Sequence, residues 1–533
     1  MSKKVVIIGA GMAGLSAGVY ARMNGYEAEI YEMHDEPGGL CTSWKRKGFT
    51  IDGCIHWLTG SAPADPFYDF WMELGALQGR KIIDHEQFYR FTGTDGRTLI
   101  LYCDADKLEA HLKELSPQDS ETIELFCGMI RRFTGFNMPL DKAPELFGFF
   151  DIAGMILRMI PYWKAYKFCS QTTMKEFGER FRDPLLQEVF PTILVHEDLP
   201  LTSIIYTLAL LHKKAGGYPL GGSLEFSRAI EKRFLDLGGK IFYKSQVEKI
   251  LTGDGTAAGI SLKGGKEIGA DYVISAADLK STVYGMLGGK YVEPMHEELI
   301  AEVKLFPSMV LVSFGTSMDF SGEPDSPGEM FKLQDPLVTG GEKNEWLMVK
   351  NYSFDPTLAP SGKTVVMCGI NAYDYNYWEQ LNKDKKAYRE EKNRIAEFMA
   401  DFMEEKHPGF KASIEMTDVS TPVTFTRYTG NWKGTFMTWV ISPALSKRYR
   451  MIPKTLPGLK NFWLSGMWVM PPGGLPSGVK SSRDVIQLIC RQDSKKFVAF
   501  SDLSRSSALS KRGPESPSHE KPPSGGLERP VTA

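Results

Sequence analysis

Cysteines are few in the chain, and they are not arranged in pairs. Seven occur among 533 residues, an odd number, and none form a C-x-x-C motif. This argues against a zinc ribbon or a disulfide scaffold, predicts no metal site, and favours a reducing compartment. The net charge is −2 and no long basic block is present. We therefore expect no nucleic-acid partner.

Long apolar runs are also scarce. The N-terminus, MSKKVVIIGAG, passes from two lysines directly into a strand-like run. A secretory signal would need an apolar helical core there, so we expect a cytoplasmic protein. The most apolar stretch, residues 144–168, is interrupted by Asp151, Arg158 and Pro161 before it reaches the roughly 20 residues that span a bilayer. The length predicts roughly two or three domains with globular composition.

The N-terminal residues follow the pattern of a dinucleotide-binding unit. Val5–Ile8 is a continuous apolar run typical of a buried parallel strand, and Gly9, Gly11 and Gly14 follow it as G-x-G-x-x-G. The first glycine permits a tight turn, the second lets the backbone approach a pyrophosphate, and the third lets the next helix pack closely on the strand. A second strand ends at Glu32, where a carboxylate would accept hydrogen bonds from a ribose.

The stretch that follows, MHDEPGGLCTSWKRKGF, resembles the large FAD family that includes amine oxidases and phytoene desaturases. Gly38 and Gly39 match the glycine doublet of that family, which passes close to the phosphate and ribityl groups of the flavin. Leu40 stands where many members have arginine, and Lys45 or Arg46 could supply the contact instead.

Two later blocks narrow the resemblance. YPLGGSLEFSRAIEKRFLDLGGKI and PPGGLPSGV are similar to phytoene desaturases, carotenoid isomerases and retinol saturases. In that group the last helix directs its N-terminus at the pyrimidine end of the flavin and stabilises negative charge there. The resemblance implies FAD as the cofactor. It implies these cofactor-binding residues: Gly9, Gly11, Met12, Gly14, Glu32, Gly38, Gly39, Leu40, Val247, Gly466, Met467, Gly474, Ser477, Gly478 and Val479.

The predicted fold class is α/β, with a discontinuous Rossmann-type FAD-binding domain formed by residues 1–75, 216–285 and 455–492. Residues 76–140 and 286–454 are expected to form an inserted mixed α+β substrate-binding domain. Residues 141–215 are expected to form a helical subdomain that could contact a membrane. Residues 500–533 are rich in serine, proline and charge, and they are predicted to be disordered.

The function implied by the resemblance is flavin chemistry on a hydrocarbon. Members of this group add, remove or rearrange C–C double bonds of long apolar polyenes, with a hydride moving between carbon and flavin N5. Only one G-x-G-x-x-G is present, so the expected redox partner is a quinone, oxygen, a reductase or the substrate itself. A flavin amine oxidase, with Tyr428, Trp432 and Trp439 as its aromatic residues, and a non-catalytic flavin- or lipid-binding protein remain alternatives.

The stretch at 144–168 admits three interpretations. Its large apolar side chains could pack in the core, line or mouth a substrate tunnel, or lie in a bilayer interface on the inner face of the membrane. Lys164 and Lys167 at its end favour the last. The side chains concerned are Phe147, Phe149, Phe150, Met155, Met159 and Trp163.

The stretch GFTIDGCIHWLTG, residues 48–60, places three reactive groups in an apolar run. The spacing of Asp52, His56 and Gly60 is similar to that of retinol saturases. We expect Asp52 to hydrogen-bond backbone at a turn and Cys54 to be a small buried side chain. His56 is the candidate catalytic residue, as a proton donor near the flavin or substrate, with a structural role as the alternative.

Overall fold

A five-stranded parallel sheet organises the part of the chain that carries the glycine motif. The computed structural model describes residues 2–137, 139–324 and 326–499. The first strand of the chain lies at the centre of the sheet, and its direct neighbours come from distant segments. The strands, in spatial order, are Phe462–Leu464, Tyr272–Ser275, Lys4–Ile8, Glu27–Tyr31 and Lys240–Phe242.

Both faces of this sheet are covered, which explains why its central strand is apolar from Val5 to Ile8. Val5 and Ile7 pack into a layer of helices, whereas Val6 and Ile8 point to the opposite face. Successive side chains of a strand point to opposite faces, so a strand buried on both sides has no polar positions. The helices of this layer are Met12–Met23, Gly222–Asp236 and Leu475–Gln492.

A small antiparallel sheet covers the other face. Of the strands between residues 240 and 275, only Lys240–Phe242 and Tyr272–Ser275 join the parallel sheet. The intervening strands form hairpins instead, because short turns join them and place them antiparallel. They are Val247–Gly253, Thr256–Leu262 and Glu267–Gly269.

A second, seven-stranded sheet forms the other half of the molecule. It is mixed, since one neighbouring pair of strands runs parallel and the rest run antiparallel. All its strands lie between residues 87 and 102 or between 308 and 420. In spatial order they are Ile414–Ser420, Ser308–Thr316, Thr364–Ala372, Glu342–Asn351, Glu329–Thr339, Gln87–Thr92 and Thr98–Tyr102.

Helices surround this sheet. Those between residues 105 and 212 share a core with its edge strands through Phe88, Phe91, Leu99 and Leu101, and Lys385–Lys406 packs on its centre. The helices between residues 105 and 212 are Ala105–Leu115, Ser120–Phe133, Phe149–Met159, Trp163–Gln171, Met174–Gly178, Pro184–Val189 and Thr202–His212. The other helices of the described residues are Phe67–Glu73, Pro294–Glu302, Tyr375–Leu381, Phe410–Ser413 and Pro422–Thr429. Two-stranded ribbons pair Ser43–Arg46 with Phe49–Asp52 and Ile82–Ile83 with Tyr218–Pro219.

Several of the sequence expectations can be compared with the fold. Across the described ranges, no helix combines the length and the apolar character needed to span a bilayer. The tail predicted to be disordered, residues 500–533, lies outside the described residues. The mixed α/β class is confirmed, and the domain boundaries assigned from the sequence stay predictions.

Candidate active site

The glycine turn after the first strand leaves an open cradle at the start of the helix Met12–Met23. Gly9 has φ +94° and donates its N–H to the carbonyl of Tyr31 at 2.8 Å. A Cβ atom on Gly14 would lie 1.8 Å from the carbonyl oxygen of Gly9, so the helix can approach the strand only without a side chain there. Gly11 is the N-cap of this helix and makes no side-chain hydrogen bond to it. The N–H groups of the first helical turn can therefore face a phosphate.

Glu32 holds the shape of this turn. Its Oε2 accepts a hydrogen bond from Ala10 N at 2.6 Å, and its Oε1 accepts one from His34 N at 2.8 Å. Ser245 N–H donates to the Glu32 carbonyl at 2.8 Å, which brings the segment before Val247 beside the acid. Each carboxylate oxygen has a second lone pair, so the predicted ribose contact remains compatible with these bonds.

The glycine doublet runs alongside the turn. Gly38 and Gly39 have φ values of +107° and +62°, which favour glycine. Gly38 N–H donates to the Ala10 carbonyl at 2.9 Å, and Leu40 next to the doublet is half-buried. Arg46 is exposed and pairs with Asp418 at 3.0 Å, so it is engaged away from the doublet.

A second helix N-terminus meets the first. Gly474, with φ +84°, is the N-cap of the helix Leu475–Gln492. Ser477, one of the predicted cofactor-binding residues, therefore lies in the first turn of this helix. A Cβ on Gly478 would lie 3.4 Å from Ala13 N. Gly466 N–H donates to Ser481 Oγ at 2.8 Å. Two helix N-termini therefore lie side by side, where both stabilise negative charge.

The remaining predicted cofactor residues surround this junction. Met12 opens the first helix and is buried. Met467 opens a 3-10 turn directly after Gly466. Ser477 Oγ donates to the Gly473 carbonyl at 2.7 Å, and Val479 is fully buried. The contacts that each residue would make with a flavin stay predictions.

The geometry fits FAD. The glycine cradle, the uncapped helix N-terminus and Glu32 would hold the diphosphate and ribose, and the start of Leu475–Gln492 would face the isoalloxazine. When bound, FAD supplies hydride transfer. The described residues contain no group of three histidine, cysteine or acidic side chains that could hold a metal ion.

Asp52 connects the stretch at 48–60 to a remote helix. Its Oδ1 accepts hydrogen bonds from Ser223 Oγ at 2.6 Å and from Cys54 N at 3.2 Å, and Ser223 N–H donates to Oδ2. The sequence correctly predicted backbone hydrogen bonds, although Ser223 at the start of Gly222–Asp236 was not foreseen as the partner. Burial raises the pKa of the Asp52 carboxyl above its usual value.

His56 lies beside a buried amine that sequence reasoning missed. Its Nδ1 is 3.0 Å from Lys350 Nζ, and Lys350 lies on the strand Glu342–Asn351 with 1% of its surface exposed. The signal available in the sequence is a lysine directly after the apolar run in EWLMVKNY, which should have marked a buried charge. Cys54 is half-buried, and the neighbouring Cys41 and burial raise the pKa of its thiol.

The aromatic residues considered for an amine oxidase do not form a facing pair. Tyr428 is exposed and meets His34 edge-on at 5.2 Å. Trp432 and Trp439 are 6.0 Å apart at an interplanar angle of 65°, and Trp439 is fully buried against Trp468. Trp432, Trp439 and Trp468 form a core cluster rather than two parallel walls for a small substrate.

Comparison with known proteins identifies the family. Residues 12–489 match the family described as flavin containing amine oxidoreductase. A lycopene-forming phytoene desaturase of Pseudescherichia vulneris is 25% identical over 91% of this chain and 99% of its own. Prolycopene isomerase 1 of an Oncidium hybrid cultivar is 26% identical over 81% and 74%.

A solved structure extends the comparison to the fold. Cyclohexylamine oxidase from Brevibacterium oxydans superposes with a TM-score of 0.58 at 13% identity, covering 93% of this chain and all of its own. The relatives confirm the resemblance to the phytoene desaturase and carotenoid isomerase group. The chain thus belongs to the flavin containing amine oxidoreductase family, and it is an FAD-dependent oxidoreductase.

Proposed function

We propose that the protein acts on carbon–carbon bonds of an apolar polyene or terpenoid lipid, as a desaturase, saturase or isomerase, by hydride transfer at flavin N5. The observation that carries the proposal is an exposed apolar segment, residues 149–163, on the outside of the helical region. Phe149 and Phe150 are 79% and 87% exposed. Ile156, Leu157, Ile160 and Trp163 are also exposed.

Such a surface suits a substrate that is dissolved in lipid. Exposed apolar patches of this kind mark membranes, partners or ligand grooves, and a polyene offers few polar groups for recognition. None of the side chains of Phe149–Met159 is buried, so the core-packing interpretation of this helix was wrong. The absence of a parallel aromatic pair among Tyr428, Trp432 and Trp439 further favours a polyene over an amine.

The proposed substrate is tested anaerobically. The FAD-loaded protein, oxidised and dithionite-reduced in separate samples, is mixed with a panel of carotenes and retinoids and with a panel of amines. We expect a polyene to change the flavin absorbance in one redox state, with a product altered by one double bond or in its geometry. Bleaching by an amine, without a polyene response in either state, would contradict the proposal.

We also propose that the apolar segment 149–163 lies in the interface of a membrane, at its cytoplasmic face. Arg158, Lys164 and Lys167 are exposed within or directly after it, and cations beside a shallow apolar face are typical of helices that bind anionic lipid surfaces. A quinone, oxygen or a reductase would then serve as the redox partner.

A double variant tests membrane contact. Phe149→Ser with Phe150→Ser is expected to weaken binding to vesicles of phosphatidylglycerol and phosphatidylcholine by at least about 100-fold, since each buried phenylalanine contributes roughly 1.5–3 kcal/mol. Vesicle co-sedimentation measures the change. Leu235→Ser is the matched control, because Leu235 is also an exposed apolar residue on a helix outside the segment. Equal binding by both variants would contradict the proposal.

A further inference from the structure

Lys350 is a buried cationic side chain without an ion-pair partner. In the described ranges, no carboxylate oxygen lies within 4.0 Å of its Nζ, whose only hydrogen-bond partners there are His56 Nδ1 at 3.0 Å and the Ile55 carbonyl at 3.4 Å. The Nζ also lies 4.4 Å from the ring centroid of Tyr352. Buried lysines are rare unless paired, so this arrangement requires an explanation.

The nearby carboxylates are occupied by other donors. Asp52 binds Ser223, and Asp355 accepts hydrogen bonds from Tyr218 Oη at 2.9 Å and from Thr357 Oγ1 at 2.6 Å. Burial lowers the pKa of Lys350 to about 7, and the charge interactions that oppose it are weaker. The titratable groups around Lys350 are Asp52, Cys54, His56, Tyr218, Tyr352 and Asp355.

The second ring nitrogen of His56 is turned away from this amine. Its Nδ1 faces Lys350, whereas its Nε2 has no hydrogen-bond partner among the described residues and is not fully buried. Burial, and next the charge of Lys350, hold the pKa of His56 well below its usual value, so the ring is neutral. A neutral imidazole with one nitrogen on a base and the other free can pass a proton through itself.

The stretch that carries His56 begins at the cofactor side of the molecule. Ile55 N–H donates to Ser223 Oγ at 3.1 Å, and Cys41, two residues after the glycine doublet, contacts the Ser223 carbonyl through its sulfur at 3.6 Å. A continuous chain of contacts therefore runs from the doublet at 38–39 to Lys350.

We propose that His56 and Lys350 form a proton relay for the reaction at the flavin, in which His56 touches the substrate and Lys350 stores the proton. The proposal rests on the proposed polyene function. In desaturation, one carbon loses a hydride to the oxidised flavin. The adjacent carbon loses a proton to His56 Nε2, and the electron pair of that C–H bond becomes the new π bond. The proton on His56 Nδ1 passes to the neutral amine of Lys350, which becomes an ammonium.

The reverse sequence serves saturation. The Lys350 ammonium donates to His56 Nδ1, and Nε2–H protonates the carbon next to the one that receives the hydride from the reduced flavin. Desaturation therefore needs the neutral amine, whereas saturation needs the ammonium. The protonation state of Lys350 would set which direction is faster at a given pH.

Single-turnover kinetics test the relay. In the wild-type protein, flavin reduction by a polyene is expected to rise about tenfold between pH 6 and pH 8, since one proton must leave. Lys350→Met should lose this rise and slow the step about 100-fold or more. Lys350→Arg should not restore it, because arginine stays protonated. If flavin re-oxidation by a polyene is the active direction, the wild-type rate should fall instead over the same range.

A substrate-free measurement keeps the proposal independent of turnover. The folded-state pKa of Lys350 lies below its unfolded value, so its destabilising effect is full below about pH 7 and disappears as the pH approaches the unfolded value of about 10.4. The thermal midpoint of FAD-loaded Lys350→Met should exceed that of the wild-type protein at pH 6 and match it at pH 10. Lys332→Met is the control, since Lys332 pairs with Glu188 and Glu345.

Each failure has its own signature. A pH profile shared by the wild-type protein and Lys350→Met, with polyene turnover intact, would overturn the relay alone. A midpoint difference that is the same at pH 6 and pH 10 would show that Lys350 does not titrate, and would also overturn it. Absence of any polyene response in every variant, with the midpoint difference present, would overturn the proposed function and the relay with it.

Discussion

Replacing Gly14 with alanine is expected to give a folded protein that retains at least tenfold less FAD. The added Cβ would lie 1.8 Å from the Gly9 carbonyl oxygen, which is backbone and cannot turn aside. The helix Met12–Met23 would have to move away from the strand Lys4–Ile8, and its N-terminus would leave the phosphate position. The ratio of visible flavin absorbance to protein absorbance in the purified sample measures the loss of FAD.

The control for this variant is Gly128→Ala. Gly128 lies in the helix Ser120–Phe133, and a Cβ there would meet no atom within 4 Å. This change should leave the FAD content unaltered. It should stabilise the protein by about 0.5–1 kcal/mol, because alanine has a higher helix propensity than glycine. Stoichiometric FAD in Gly14→Ala would refute the assigned phosphate site.

Replacing Asp484 with alanine is expected to destabilise the protein by about 3–5 kcal/mol. Asp484 is fully buried and pairs with Lys480, whose side chain is 8% exposed. Lys454, 5% exposed, lies 3.7 Å from the same carboxylate and 2.5 Å from Glu145. Without Asp484, the Lys480 ammonium would be left buried beside a second cation. Urea unfolding, followed by far-UV circular dichroism and by flavin release, measures the loss.

The double variant Lys480→Met with Asp484→Leu distinguishes the effect of an unpaired buried charge from the effect of lost packing. Apolar replacements of similar volume remove both buried charges, so most of the stability should return. Asp401→Ala, which breaks an exposed pair with Lys411, should change stability by less than about 1 kcal/mol. A double variant as unstable as the single one would show that packing, rather than the unpaired charge, accounts for the loss.

The nucleotide-binding part of the fold could be predicted because its determinants are local. The run at 5–8, the glycine motif and Glu32 lie within one strand–helix–strand unit, and the structure has Lys4–Ile8, Met12–Met23 and Glu27–Tyr31 at those places. Each step depends on neighbours in sequence: apolar residues for a strand buried on both faces, then glycines where no side chain fits.

The features that were missed depend on pairs that are distant in sequence. Lys350 and His56 are 294 residues apart, and neither residue alone indicates a relay. For the segment 149–163, the sequence left the core, a tunnel and a bilayer interface open, and only the observed exposure of Phe150 and its neighbours decides against the core. The antiparallel sheet of Val247–Gly253 also depends on turns that separate it from the parallel sheet.

The packing of the last helix against the first has a consequence for biosynthesis. Ser482 Oγ donates to the Ala13 carbonyl at 2.7 Å across 469 residues, and Phe462–Leu464 supplies the edge strand next to Tyr272–Ser275. The side of Met12–Met23 that packs against Leu475–Gln492 therefore stays uncovered until that last helix has left the ribosome. Domains generally fold as units during synthesis, but here the cofactor site is completed last, so a chain that ends early would expose its core and be open to aggregation and proteolysis.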